Sequence, residues 1–380
     1  MAKPIKESST IPEQLQKLIS RGLIINDIFY ANERLSSIGY YNIINAYKAP
    51  FLRTTGAEKF IPGITFEDID NIYRFDKRQR RILQNTLEDI EQQLRQITTR
   101  KFIEVHGDDP EKYYDMKAFR AFKNSDAYRR FSNKITYPAL ENHFQPFKHY
   151  REKYKGVPLW VAMSDWDFGT LETFIRQLKP NVKEKIIDEF FSDDFKNDMH
   201  NEKSSIEGFF GEFLILLRMF RNRVSHGYRV YNYRPVAVSK EGVTRPVLKY
   251  YRGFQGLEGI TKSAYNKGAG NGDIHLLLVG LGKLRYRSPF IQLKNETLDN
   301  LMQSLHDHQS VDYHLMSSMG YPVTAIAAFV RNSIERNKIL QVQNPKLSNI
   351  FNYYSVESSA DLIVVKPEDL PSHLINNHAY

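Results

Sequence analysis

Residues 206–226 read IEGFFGEFLILLRMFRNRVSH, and the two halves of this stretch differ in character. The first half is apolar with few interruptions, and the second ends on Arg221, Asn222 and His226. The whole stretch has helical length, and Gly227 stands where a C-terminal cap belongs. The spacing predicts a helix over about 205–226 whose apolar part is buried and whose polar end is presented. At 100° per residue, Arg218, Arg221, Asn222 and Ser225 share one face, while Asn222 and His226 form an i,i+4 pair. Arg221 and His226 lie roughly 140° apart on an ideal helix. A long Arg side chain, a loosened last turn or a symmetry mate is needed to bring them together.

Upstream, a second long helix is predicted over about 66–104. Leu83, Leu87, Ile90, Leu94 and Ile97 step by four, three, four and three, which makes a continuous apolar stripe. Thr65 followed by Asp68 resembles a capping box at its start, and His106-Gly107-Asp108-Asp109-Pro110 ends it. Arg74, Lys77, Arg78, Arg80, Arg81, Arg95, Arg100 and Lys101 are expected on its outer side. Shorter helices are expected over 11–21, about 27–48, 157–178 (with a break near Gly169) and 181–195, and mixed short helices over 111–157. After Pro235 the runs turn rich in Val, Tyr and Gly, predicting a hairpin or ordered loop over 236–274. Helices are expected again over 274–284, 294–308 and 322–340, and a strand over 361–365. The fold class is therefore mainly α. Its parts are an N-terminal helical segment (1–65), a helical domain (66–235) and a C-terminal extension of short strands, loops and helices (236–380).

The composition excludes several chemistries. With no cysteine among the 380 residues, disulfides, thiolate metal sites, iron–sulfur clusters and a cysteine nucleophile are all out. The first twenty residues lack the apolar run of a signal peptide, and FLILL (213–217) and HLLLV (275–279) are far too short to span a bilayer. No membrane association and a cytoplasmic location are expected. His306, His308 and His314 lack accompanying ligands at metal spacing, so no metal site is assigned to them. The GAGNG run (268–272) is followed by Asp273-Ile274-His275 rather than the Lys-Ser/Thr of a phosphate loop, and it reads as a turn. Asp165, Asp167, Asp193 and Asp194 read as solvated charges or helix caps.

The chain carries 53 Lys and Arg against 44 Asp and Glu, a net charge of +9. Residues 218–254 hold nine of those bases and one acid, so nearly the whole excess falls in about a tenth of the length. Aromatic rings are interleaved with the cations. Charges for phosphates alternating with rings for bases point to an RNA-binding surface. Its candidates are Arg218, Arg223, Tyr228, Arg229, Tyr231, Arg234, Arg245, Lys249 and Arg252, joined by Arg78 and Arg81 of the long helix.

Arg221, Asn222 and His226 are the parts of a ribonuclease that works without a metal or other cofactor. A histidine with its ordinary pKa near 6.5 can move protons between the ribose 2′-hydroxyl and the leaving 5′-oxygen at neutral pH. An arginine can stabilise the charge that grows on the phosphorane, and Asn222 can orient the imidazole or hold a phosphate oxygen. The competing readings are an Arg and a His that merely cap a helix C-terminus, a non-catalytic RNA-binding protein, and an interaction protein with an incidental basic patch.

Several segments in order shift this balance: LSSIGYYNIINAYK (35–48), GITFEDIDNIYRFDKRQRRILQNTLEDIEQQLRQ (63–96), VPLWVAMSDWDFGTL (157–171) and LRMFRNRVSHGYRVYNYRP (217–235). Through Gly39-Tyr40-Tyr41, Tyr73 to Arg95, Pro158-Leu159-Trp160, Phe168-Gly169 and Arg221 to Asn232, the chain resembles the Abi family of bacterial abortive-infection proteins, the AbiD/AbiF-like group. It departs from that pattern at Gln79, Ser225 and Gly227. The resemblance covers about residues 11–235. It implies a HEPN-type helical bundle in which Arg221 and His226 are the catalytic pair and Asn222 an accessory residue. Because only one copy of the motif is clear, a composite site would need a homodimer. The resemblance further implies an anti-phage toxin that partners a structured noncoding RNA. Glu91 and Arg95 fit the family's acid-and-arginine helix, and an i,i+4 structural ion pair is the role expected for them.

Overall fold

The computed structural model describes residues 8–53, 56, 58–121, 125–239, 242–307 and 312–321. The chain is mainly helical. In order come α1 (Ile11–Ser20), α2 (Ile28–Ile38), α3 (Phe66–His106), α4 (Ser125–Leu140), α5 (Phe147–Lys153), α6 (Leu159–Ala162), α7 (Phe168–Gln177), α8 (Pro180–Phe190), α9 (Asp193–Asn201) and α10 (Ile206–Ser225). They are followed by strands β1 (Val236–Val238) and β2 (Thr244–Pro246), then α11 (Lys262–Asn266), α12 (Ile274–Leu281), α13 (Ser288–Asp307) and α14 (Asp312–Ser318). The two strands form a small antiparallel sheet in which Ala237 faces Arg245, one of the two arrangements expected over 236–274, whereas the helix α11 within that span departs from the expectation of no helix there. No helix among the described residues is long and apolar enough to cross a membrane. The helix expected over 322–340 and the strand over 361–365 lie outside the described residues.

The contacts divide the chain into two units, Met1–Arg78 with Leu298–Tyr380, and Gln79–Thr297. These are not the boundaries expected near 65 and 235. In the first unit, Thr65 and Asp68 form the anticipated capping box: Thr65 N donates to Asp68 Oδ2 at 2.8 Å and Asp68 N to Thr65 Oγ1 at 3.1 Å. The core there draws on Leu15, Leu18, Ala31, Leu35, Ile69, Ile72 and Phe75. The helix expected over 27–48 stops at Ile38, because Gly39 takes φ +94°, and a wide helical turn over Tyr41–Asn45 follows.

The second unit is built around α10. The stripe of α3 from Leu83 to Ile97 is buried throughout, as the spacing predicts. Phe209, Phe213, Leu214, Leu216, Leu217 and Phe220 of α10 are fully buried, and Phe209 and Phe213 stack with ring centres 5.4 Å apart. Rings of Phe191, Phe195 and Phe254 pack against Phe209, and that of Phe190 packs against Phe210 of the same helix. Gly280 of α12 admits Phe213 so closely that a Cβ there would lie 2.5 Å from the ring. Each buried ring contributes roughly 1.5–3 kcal/mol, so this apolar half fixes where the polar end of α10 must stand.

Two further element boundaries differ from expectation. The break in 157–178 falls at residues 163–167, where Asp167 caps α7 by accepting from Thr170 N at 2.6 Å, and Gly169 lies inside the helix. The helix expected over 181–195 is two, α8 and α9. The backbone is extended at Phe191, and Ser192 caps the second helix.

Candidate functional site

α10 ends where the sequence says it should. Gly227 adopts φ +70°, a conformation that strongly favours glycine, and His226 is the last residue before it. The His226 backbone N–H donates to Asn222 O at 3.2 Å. Its imidazole is exposed, with the Tyr228 ring centre 6.0 Å away. Phe220 and Val224 are buried on the opposite side, so Arg218, Arg221 and Asn222 stand half-buried on the presented face.

Two glutamates grip that face. Glu91, only 5% exposed, pairs with Arg95 one turn along α3, and its Oε2 lies 3.5 Å from Arg221 Nε. Arg95 also donates from Nη2 to the carbonyl of Trp166 at 2.6 Å. Glu172, 3% exposed, accepts from Arg176 Nη1 at 2.9 Å and pairs closely with Arg218. The expected Glu91–Arg95 pair is present, but Glu91 also reaches Arg221, and Arg95 is turned inward rather than outward. Asp167 carries Arg221's influence as well. Burial works to raise its carboxyl, but hydrogen bonds from Thr170, then the charges of Lys134 and Arg221, hold it below the ordinary carboxylate value.

The basic segment is less open than its composition implies. Arg223 folds back, donating from Nε to the Arg229 carbonyl at 2.7 Å, with its guanidinium 5.1 Å from the Tyr228 ring centre and 4.7 Å from that of Tyr233. Arg229 lies 5.8 Å from the centre of the Tyr231 ring. Arg252 pairs with Glu202 at 2.6 Å, Lys249 with Glu212 at 3.6 Å, and Arg234 with Asp273 at 3.7 Å. Tyr228 and Arg245 are exposed. Tyr231 is 2% exposed and belongs to the core, which corrects its expected role as a stacking platform. In the first unit, Arg78 is not an outer cation either: it donates to Asn300 Oδ1 at 2.7 Å and to Ser304 Oγ at 3.3 Å. Arg81 itself is exposed.

Sequence reading missed Glu172. The available signal was a carboxylate inside FGTLETFI (168–175), where a charge among buried positions demands a partner. It also missed the compensation of the basic segment, since Glu91, Glu172, Glu202, Glu212 and Asp273 all lie outside residues 218–254. Among the described residues, no group of three or more His, Asp or Glu side chains is arranged to hold a metal ion.

The profile of the Abi-like protein family matches residues 33–232, more than half of the chain. The chain belongs to that family. Glu91, Arg95, Glu172, Arg218, Arg221, Asn222 and His226 all fall within the matched span, whereas Arg234, Arg245, Lys249 and Arg252 lie beyond it. No curated protein and no solved structure matches the chain.

Proposed function

We propose that this member of the Abi-like family is a metal-independent endoribonuclease of the HEPN type, an abortive-infection toxin of the cytoplasm that partners a structured noncoding RNA. The observation that carries the proposal is the polar end of α10. There an exposed His226 and a half-buried Arg221, held by Glu91, both stand at the C-terminal end of the helix, beyond a fully packed apolar half. His226 takes the proton from the ribose 2′-hydroxyl as that oxygen bonds to phosphorus. The bond from phosphorus to the 5′-oxygen breaks, a second imidazole protonates the leaving oxygen, and a 2′,3′-cyclic phosphate remains. In a homodimer, the second copy of His226 supplies that imidazole. Arg221 stabilises the charge on the phosphorane, and Asn222 holds an oxygen or orients the ring.

The test is RNA cleavage in EDTA by the wild type and His226→Ala, after stripping any bound RNA, with the ends scored for cyclic phosphate. Cleavage abolished in the variant is expected. Cleavage that persists in it refutes the assignment. One observation favours a second reading, a non-catalytic RNA-binding protein: Glu91 already offsets part of the charge on Arg221. Tight RNA binding with no cleavage by either protein would select that reading.

A further inference from the structure

A groove of about 370 Å³ runs between α4 and the turn that leads into α7. Its size is within the range of small-ligand sites. One wall presents Asn133, Lys134 and Tyr137 from α4. The other presents Asp165, Trp166 and Asp167. The groove is tied to the polar end of α10, since the Trp166 carbonyl accepts from Arg95, which shares Glu91 with Arg221.

The chemistry of the lining suits a base edge rather than a phosphate. Two carboxylates stand against one ammonium, which disfavours an anion. Asp167 is already engaged, with Oδ1 on Thr170 N and Oδ2 3.8 Å from Lys134 Nζ. Asp165 is exposed and oriented by a single hydrogen bond from Asn142 Nδ2 to its Oδ1 at 3.2 Å, so most of its acceptor capacity remains available. Tyr137 is 44% exposed and offers a ring face. Trp166 is 3% exposed, and its indole N–H finds no acceptor among the described residues, although buried donors are normally satisfied.

A carboxylate that accepts two parallel hydrogen bonds, beside donors for a carbonyl and a ring to stack on, matches guanine. Its Watson–Crick edge carries adjacent N1–H and N2–H donors, and its O6 and N7 accept. Adenine and cytosine offer one amino group there, and uracil a single imino N–H. We infer that this groove is a nucleobase pocket that takes a guanine of the RNA strand, with Asp165 reading its N–H edge and Tyr137 stacking on it. The inference rests on the nuclease reading for its strand but not for its ligand.

Because the chain has two tryptophans, a ¹⁵N-labelled sample gives two indole N–H signals, of which the one from Trp166 reports on the groove. Titration with guanosine 5′-monophosphate is expected to shift that signal, with the adenosine, cytidine and uridine monophosphates at least tenfold weaker. Asp165→Asn and Tyr137→Ala, both at exposed positions, are each expected to weaken guanosine monophosphate at least tenfold. An equal response to all four nucleotides, or a guanosine response that both variants leave unchanged, overturns the inference. Failure of the two readings is distinguishable. His226-dependent cleavage without guanine binding overturns the pocket alone, and guanine binding in the groove without cleavage removes only the nuclease.

Discussion

Glu172 and Glu91 are the same device used for different ends. Each is a nearly buried carboxylate, each pairs with an arginine four residues along its own helix, and each reaches across to an arginine of α10. Glu172 holds Arg218 in close contact, while Glu91 stands 3.5 Å from Arg221. The first pair has the form of a brace. The second fixes where a guanidinium points without using up its hydrogen-bonding capacity, because five N–H donors are available and only Nε faces Glu91 at that distance. A short pair on one turn and a long one on the next thus let a single helix be both anchored and chemically available.

The largest test of that contrast is to exchange the roles. Arg221→Ala is expected to lower RNA cleavage by about 10²–10³-fold, the cost of losing one charge-stabilising donor. Its urea midpoint should change little. Arg221→Ala with unimpaired cleavage would make both glutamates mere braces. Next comes the brace itself. Glu172→Gln is expected to destabilise the fold by about 2–3 kcal/mol, below the 3–5 kcal/mol of a fully buried pair because Arg218 and Arg176 are partly exposed. Cleavage per folded molecule should survive. Glu91→Gln should cost at least as much stability, since Arg95 is only 14% exposed, and should also slow cleavage per folded molecule; equal effects of the two substitutions in rate assays would erase the distinction.

The smallest effect concerns Asp167. Its carboxyl is held below the ordinary value, so it stabilises the folded chain above that value and loses the contribution as pH falls through it. Asp167→Asn keeps the cap acceptor but removes the charge. The stability difference between wild type and Asp167→Asn should be flat from neutral pH to about pH 5 and shrink below about pH 4. A difference that grows toward acid would show that the charge on Asp167 opposes folding.

Much of this arrangement was legible in the sequence because it is local. The apolar stripe of α3, the capping pair Thr65 and Asp68, and the glycine after His226 each follow from spacing within a few residues. What could not be read depends on contacts made at long range. Net charge counted along 218–254 ignored Glu91 and Glu172, which arrive from α3 and α7. The ring of Tyr231 is buried despite its cationic neighbours, for nothing in the local pattern separates an inward tyrosine from an outward one. The sequence suggests a break near Gly169, whereas the side-chain cap from Asp167 sets it before Phe168. Arg221, Asn222 and His226 could be named from their types and spacing, but the carboxylate behind Arg221 could not.

The division of the chain has a consequence for its synthesis. In sequence, residues 79–297 fall between the two segments of the other unit, and Arg78 meets Asn300 across 222 positions. A ribosome making about 5–20 residues per second therefore delivers every residue from Leu83 to His226 before the segment that completes the first unit. During that interval the start of α3 lacks the partners that Asn300 and Ser304 give to Phe75 and Arg78, and chain termination before Leu298 leaves it so permanently. The unit that carries the polar end of α10 is thus complete in the nascent protein before the first unit is.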